Sequence, residues 1–223
     1  MNEFNIEELT KKISSALEEE GFDIFGFAMA EKHPEDAEHI RAWTSAGRNG
    51  SMSFFERSSE KRGDITTLVD GARSVIIAGL KYFSEDLPLT EKGYFISRYA
   101  RVRDYHLVMK RKLGRVADLI DREVPQTVSR AFCDSETVTE KEWAIRAGLG
   151  WRGRNSIIIN EKTGSFFFLG GIVTTADLSI TGIRQEDRCG SCRKCIDACP
   201  TDAICDDRTI DARRCIAYLT IEH

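Results

Sequence analysis

The chain has no apolar run approaching the about 20 residues that span a bilayer, so no membrane helix is expected. Its opening residues, Met-Asn-Glu-Phe-Asn-Ile-Glu-Glu, lack the basic and apolar regions of a secretory signal. There is no internal repeat and no low-complexity tract, and 41% hydrophobic residues make a packed core possible. Nor is there an excess of basic charge. The formal net charge is -4, so a nucleic-acid partner would need a local basic patch. The expected compartment is therefore a reducing cytoplasm, where disulfides are rare and the seven cysteines stand as thiols or metal ligands. At 223 residues the chain suits one large domain, or one domain with a small appendage.

What the sequence does have is a dense cysteine run, Cys189-Gly-Ser-Cys192-Arg-Lys-Cys195-Ile-Asp-Ala-Cys199-Pro200. The spacing C-x2-C-x2-C-x3-C-P is the ligand pattern of bacterial ferredoxin-type [4Fe–4S] proteins. Three thiolates in succession can wrap one cuboidal cluster, and the fourth serves a second. Zinc usually takes two separated C-x2-C pairs, so it is the weaker reading. Cys215 follows Cys199 by sixteen residues and can join it on a second cluster. A second C-x2-C-x3-C-P run, which would complete both sites, is not in the sequence, and a shortened chain is the expectation. Cys205 fits neither cluster by spacing. Cys133 lies in an apolar stretch and reads as a buried small hydrophobe.

Ahead of the cysteines, helical and strand patterns alternate. Ile6, Leu9, Ile13 and Leu17 recur at helical spacing behind Asn5 and Glu8, which resemble a capping box. Pro34–Ala46, Asp104–Asp121 and Glu140–Ala147 also read as helices, the second with Leu107, Leu113, Val116 and Ile120 inward. Ile24–Met29, Ser74–Leu80 and Val128–Phe132 read as strands. Ser156–Ile159 and Phe166–Val173 are expected to pair as a hairpin through Lys162-Thr-Gly164. Residues 47–63 read as loop. The alternation favours an α/β or α+β core. The polar segment 178–188 is the expected boundary, giving domains 1–180 and 181–223.

Several segments together resemble the epoxyqueuosine reductase family. They are Gly50-Ser-Met-Ser-Phe-Phe-Glu-Arg57, Gly71-Ala-Arg-Ser-Val-Ile76, Ser97-Arg-Tyr-Ala-Arg-Val-Arg-Asp104-Tyr-His106 and Asp134-Ser-Glu. Glu140-Lys-Glu-Trp-Ala144, Arg146-Ala-Gly-Leu-Gly-Trp-Arg-Gly-Arg-Asn155, Gly164-Ser-Phe-Phe-Phe-Leu-Gly170 and the stretch from Cys189 to Glu222 continue the match. The order of these segments along one chain makes the resemblance specific. Residues 136–139, Glu-Thr-Val-Thr, depart from the family's usual pattern after Asp-Ser.

The resemblance implies a mixed-sheet cobalamin-binding core carrying a small ferredoxin-like module with two [4Fe–4S] clusters. It implies reduction of epoxyqueuosine to queuosine in tRNA. Clusters ligated by Cys189, Cys192, Cys195, Cys199 and Cys215 would pass electrons to cobalt, giving cob(I)alamin. Asp134 matches the proton donor, which is chemically apt because loss of an epoxide oxygen needs a proton. Read alone, Asp134 would be a turn-capping residue. Arg57, Ser97, Asp134, Asn155, Ile158 and Leu169 match the cobalamin pocket. The implied partners are a tRNA anticodon stem-loop and an external electron donor, with the enzyme a monomer. Asp104-Tyr-His106 begins the Asp-x-His-x-x-Gly pattern of cobalt-ligating histidines, but Met109 replaces the glycine. His106 is therefore not expected to bind cobalt. Arg98, Arg101, Arg103, Lys110, Arg111 and Lys112 would either grip phosphates or form a solvated face. Two other readings stand beside this one: a related cobalamin and iron–sulfur reductase of a small molecule, and a ferredoxin-like electron carrier. The second of these struggles to explain the long body ahead of the cysteines.

Overall fold

The computed structural model describes residues 5–83, 96–134 and 136–222. In chain order the elements are α1 (Ile6–Glu19), β1 (Ile24–Met29), α2 (Pro34–Ser45), α3 (Phe54–Arg62), β2 (Ser74–Lys81) and α4 (Tyr105–Glu123). There follow β3 (Ser129–Phe132), α5 (Glu140–Arg146), β4 (Trp151–Arg152), β5 (Ile158–Ile159), β6 (Phe167–Thr174), α6 (Lys194–Asp197) and α7 (Ile216–Ile221). Short 3-10 turns lie at Ile65–Leu68, Arg98–Arg101 and Ala212–Arg214.

Local chemistry fixes the helix starts. The Asn5 side chain accepts the backbone N–H groups of Glu7 (3.1 Å) and Glu8 (3.3 Å), satisfying donors that α1 leaves unpaired. Asp104 does the same for α4 by accepting from the His106 N–H at 3.0 Å. The buried stripe of α4 is Met109, Leu113, Val116, Ala117 and Ile120. Leu107, expected to face inward, is instead 69% exposed. It lies two residues before Met109, about 200° around the helix, and so points away from the stripe.

Four strands form one sheet in the order β1-β2-β6-β3, every neighbouring pair antiparallel. β2 is apolar without interruption because both its faces are covered. Ile76 and Ala78 face α1 and α4, packing with Phe27, Ile172 and Leu113. Val75 and Ile77 face α5, packing with Trp143, Ala144 and Val173. The two-residue side-chain period of a strand divides neighbours between the two cores. Gly26 lets β1 meet the end of α5: a Cβ there would sit 1.9 Å from the Ala147 carbonyl oxygen.

Two expectations are corrected. Residues 156–159 and 166–173 do not pair with each other. β5 pairs with β4, and β6 is claimed on both sides by β2 and β3, which offer a longer ladder. Residues 47–63 are not all loop, since α3 lies among them. Its sequence buries only Ser59, so no apolar period announces it. It is held instead by tertiary packing, with Phe55 edge-on to Trp43 of α2 at 5.3 Å.

The cysteine-bearing region lies against this body. Thr181 and Gly182 donate backbone N–H bonds to the Phe27 carbonyl at 3.2 and 3.1 Å. Trp43 Nε1 donates to the Ile210 carbonyl at 2.7 Å, and the Ser51 N–H donates to the Tyr218 hydroxyl at 2.8 Å. Arg48 Nη1 reaches Asp207 (2.6 Å) and Thr209 (2.7 Å). Among the described residues, no helix is long and apolar enough to cross a membrane.

Candidate functional site

Where β3 ends, Cys133 turns its side chain into the core and donates to the Leu169 carbonyl at 3.3 Å. It is fully buried, and that burial pushes its thiol pKa far up, in keeping with an inert core thiol. Asp134 follows with φ 55°, a left-handed conformation that aspartate tolerates better than most side chains. The turn places the Asp134 carboxylate outside the sheet, half-exposed.

Three elements converge on that carboxylate. Tyr105, the first residue of α4, donates its hydroxyl to Asp134 Oδ2. The ring of Tyr105 is clamped between Phe168 of β6 (centroids 4.0 Å, planes 3° apart) and its neighbour His106 (4.0 Å). Burial, reinforced by the hydrogen bond to Asp134, pushes the Tyr105 pKa well above the usual phenol value, so the hydroxyl remains a donor. His106 Nε2 lies 3.4 Å from Asp134 Oδ2, and its Nδ1 lies 2.9 Å from Asp104. From the other side, Glu140 at the start of α5 accepts the Asp134 N–H at 2.7 Å. Burial pushes the Glu140 carboxyl up to about 8; the Asp134 N–H bond opposes this, and the Asp134 charge adds to it.

Tyr105, Asp134 and Glu140, with Lys141 and Ser165, line a recess of about 180 Å³ whose remaining wall is apolar: Ile157, Ile158, Phe167, Phe168 and Leu169. Three of the residues singled out in the sequence, Asp134, Ile158 and Leu169, therefore share one cavity. Arg57, Ser97 and Asn155 are not among its lining residues. Arg57 is exposed on α3 and donates to Ser53 at 2.7 Å. Ser97 precedes the turn at Arg98–Arg101, where its carbonyl accepts the Ala100 N–H at 3.0 Å, and Asn155 Oδ1 accepts the Ile157 N–H at 3.3 Å. A larger recess of about 360 Å³, lined by Asn160, Glu161, Lys162, Gln185, Glu186 and Arg188, holds none of the sequence-predicted residues.

A corrin needs a broad apolar wall with carboxyl and amide partners near its rim. The recess fits such a group in kind, through the apolar floor and paired carboxyls. In size it is below the roughly 300–1,000 Å³ of ordinary ligand pockets, so the described walls bear on only part of so large a ring.

The sequence reading missed Glu140 and Tyr105 as site residues and gave His106 no role. Each sits in a segment whose helical pattern explains it sufficiently, and only the fold brings them to Asp134. The basic cluster divides. Lys112 donates to the Glu20 carbonyl, Arg98 lies over the Phe83 ring at 4.5 Å, and Lys110 and Arg111 are on the exposed side of α4.

Cys189 and Cys192 lie on a turn closed by the Cys192 N–H to Cys189 carbonyl bond (2.8 Å). Cys195 is in α6, Cys199 just beyond it, and Cys215 caps α7. Of these, Cys192 is exposed and the other four are intermediate. Backbone N–H groups of Thr201 and Ala203 lower the Cys199 thiol to about 7, the Ala203 N–H lying 3.3 Å from the sulfur. N–H groups directed at a thiolate are what an iron–sulfur ligand needs. Among the described residues, no three Cys, His, Asp or Glu side chains are grouped to hold a single ion.

Residues 62–135 match a family model described as epoxyqueuosine reductase QueG, DUF1730. Residues 188–223 match a 4Fe-4S double cluster binding domain. The chain is 43% identical over 213 residues to the epoxyqueuosine reductase of Leadbetterella byssophila, covering 96% of this chain and 70% of that protein. Its fold is similar to a crystal structure of selenomethionine-labelled epoxyqueuosine reductase (TM-score 0.86, 28% identity). It is also similar to epoxyqueuosine reductase with an epoxyqueuosine-modified tRNA-Tyr stem loop (TM-score 0.84, 26% identity). In both structures the match covers 97% of this chain and 58% of the solved chain.

Proposed function

The chain belongs to the epoxyqueuosine reductase family, and from that premise we propose that it removes the epoxide oxygen of epoxyqueuosine in a tRNA anticodon stem-loop, leaving queuosine. The observation that carries the reading is a carboxyl group, Asp134, set over an apolar recess and held there by three elements. Opening an epoxide leaves an alkoxide whose oxygen departs only once protonated, and an oriented carboxylic acid is a suitable donor. The apolar floor under Asp134 excludes water from one side of a bound substrate. The Tyr105 hydroxyl fixes the orientation of the Asp134 carboxyl, and the Glu140 acceptor fixes the backbone that carries it.

Asp134, Ile158 and Leu169, with Arg57, Ser97 and Asn155, are the residues we assign to cobalamin. Cys189, Cys192 and Cys195 are assigned to a first [4Fe–4S] cluster, and Cys199 and Cys215 to a second. When bound, these groups supply the reducing electrons and a strongly nucleophilic metal, chemistry no side chain here provides. We divide the chain functionally into a catalytic part, 1–180, and an electron-delivering part, 181–223. An external electron donor, a monomeric state and residence in the cytoplasm complete the reading.

The test is anaerobic reconstitution with iron, sulfide and cobalamin, then incubation with a reductant and a stem-loop bearing epoxyqueuosine. Loss of one oxygen from the modified base, read by mass, is expected. Protein with iron, sulfide and cobalt bound that leaves the oxygen in place overturns the proposal. Turnover of free epoxyqueuosine nucleoside as fast as the stem-loop would overturn the assignment of tRNA as substrate.

A further inference from the structure

We propose that Glu140 is the second member of an acid pair, holding the proton that recharges Asp134 between the two protonations of one turnover. This rests on the epoxide reduction proposed above. In that reaction both carbon–oxygen bonds of the epoxide break, two electrons from the reduced cofactor end in the new carbon–carbon double bond, and the oxygen takes two protons to leave as water. One carboxyl group carries one proton. After the first transfer Asp134 is a carboxylate and must be reloaded before the second bond breaks.

The geometry supplies a source. Glu140 lines the same recess, and its Oε1 accepts the Asp134 N–H at 2.7 Å, which brings the two acids together at one wall. Asp134 is the outer partner, with its side chain 50% exposed, and Glu140 stands behind it. Burial keeps the Glu140 carboxyl protonated at neutral pH, up to about 8. Once its proton has moved to Asp134, the Asp134 N–H stabilises the carboxylate left behind. The other groups facing the pair serve less well. The Tyr105 hydroxyl already donates to Asp134, and burial holds its proton. His106 reaches Asp134 from the solvent side, with Nδ1 bound to Asp104. Cys133 is a buried thiol that holds its proton. Lys141 also lines the recess, where burial lowers its pKa and the charges of Asp134 and Glu140 oppose that, and Arg62 bears on Glu140 through its charge.

Glu140 acts through Asp134, so the experiment must separate a proton store from a buttress. Glu140→Gln keeps the oxygen that accepts the Asp134 N–H and loses the transferable proton. In the loaded full chain, kcat should fall about 10- to 100-fold with KM for the stem-loop within about twofold. The alkaline fall of wild-type kcat near pH 8 should disappear, and Glu140→Asp should restore part of the rate. A readout independent of the cofactors is infrared difference spectroscopy of the unloaded chain. A protonated carboxyl band should vanish as pH rises through about 8, persist in Asp134→Asn and be missing from Glu140→Gln. Wild-type kcat and pH profile in Glu140→Gln overturn the acid pair alone, as does a band that is lost with Asp134→Asn instead. A rate loss confined to His106→Gln overturns it in favour of a solvent-side relay. A wild type that binds its cofactors yet reduces no epoxide overturns the function itself, and this inference with it.

Discussion

Asp36→Asn tests how the site is braced. Asp36, buried in α2, takes two hydrogen bonds from the Arg146 guanidinium, both 2.8 Å, and a third from the Thr139 hydroxyl at 3.1 Å. Thr139 caps the N-terminal end of α5, the helix that begins with Glu140, and Arg146 is its last residue, so these bonds tie α2 to the element behind Asp134. Charge-assisted bonds of this kind contribute about 1.5–3 kcal/mol each. The Arg146 side chain is 20% exposed and also reaches Glu35 at 3.3 Å, so water and that partner recover part of the loss. The net destabilisation should be about 2–3 kcal/mol, or roughly 5–10 °C in Tm for a chain of this size. Thermal and urea unfolding of Asp36→Asn, Arg146→Met and the double variant measure it. The double variant should lose clearly less than the sum of the singles, with a coupling of at least about 1 kcal/mol. A loss under about 0.5 kcal/mol, or strict additivity, refutes the assignment of a structural brace.

Asp134→Asn should retain cobalamin while kcat drops at least about 100-fold; a wild-type rate of epoxide reduction would remove Asp134 as the donor. Cys192→Ala should lose the visible absorbance of the first cluster, and unchanged iron and sulfide content would show that the ligand is misassigned. Glu140 also makes stability depend on pH. Its carboxyl is raised from 4.5 to about 8 on folding, so the folded chain binds more protons than the unfolded chain between those values. The stabilisation is fully present below about 4.5 and declines as pH rises to about 8, where the decline ends. Urea midpoints of wild type against Glu140→Gln should diverge across that window, and parallel curves would exclude the burial effect.

The central strand and the amphipathic helices were legible because their chemistry is periodic. Ser74–Leu80 reads as a buried strand from seven consecutive residues, and Ile13, Leu17, Leu113 and Ile120 mark core faces by spacing alone. Helix α3 was hidden because its residues bury almost nothing of their own; its support is Trp43 on the preceding helix, a contact that the α3 segment alone does not announce. The hairpin expectation failed for a related reason. Local turn chemistry at Lys162-Thr-Gly164 is real, since Asn160 and Gly164 do bridge, but β6 gains more from pairing with β2 over eight residues. The site divides likewise. Asp134 was reached through resemblance, while Glu140 and Tyr105 each look like ordinary helix-start residues. Their chemical standing arises from a crossing of three elements that no spacing rule along the chain encodes.

The backbone at Asp134 narrows what the position can become. A φ of 55° is comfortable for glycine, asparagine and aspartate and costs most other residues about 1 kcal/mol or more. Glutamate would be an equally good acid, yet its longer side chain enters this left-handed region less readily than aspartate does. With the donor role proposed for Asp134, the choice of amino acid is imposed twice, once by reactivity and once by chain geometry. Its neighbour on α5 sits in ordinary helical backbone and is free of the second demand. Of the two acids, only the one at 134 has its side-chain type restricted by the backbone.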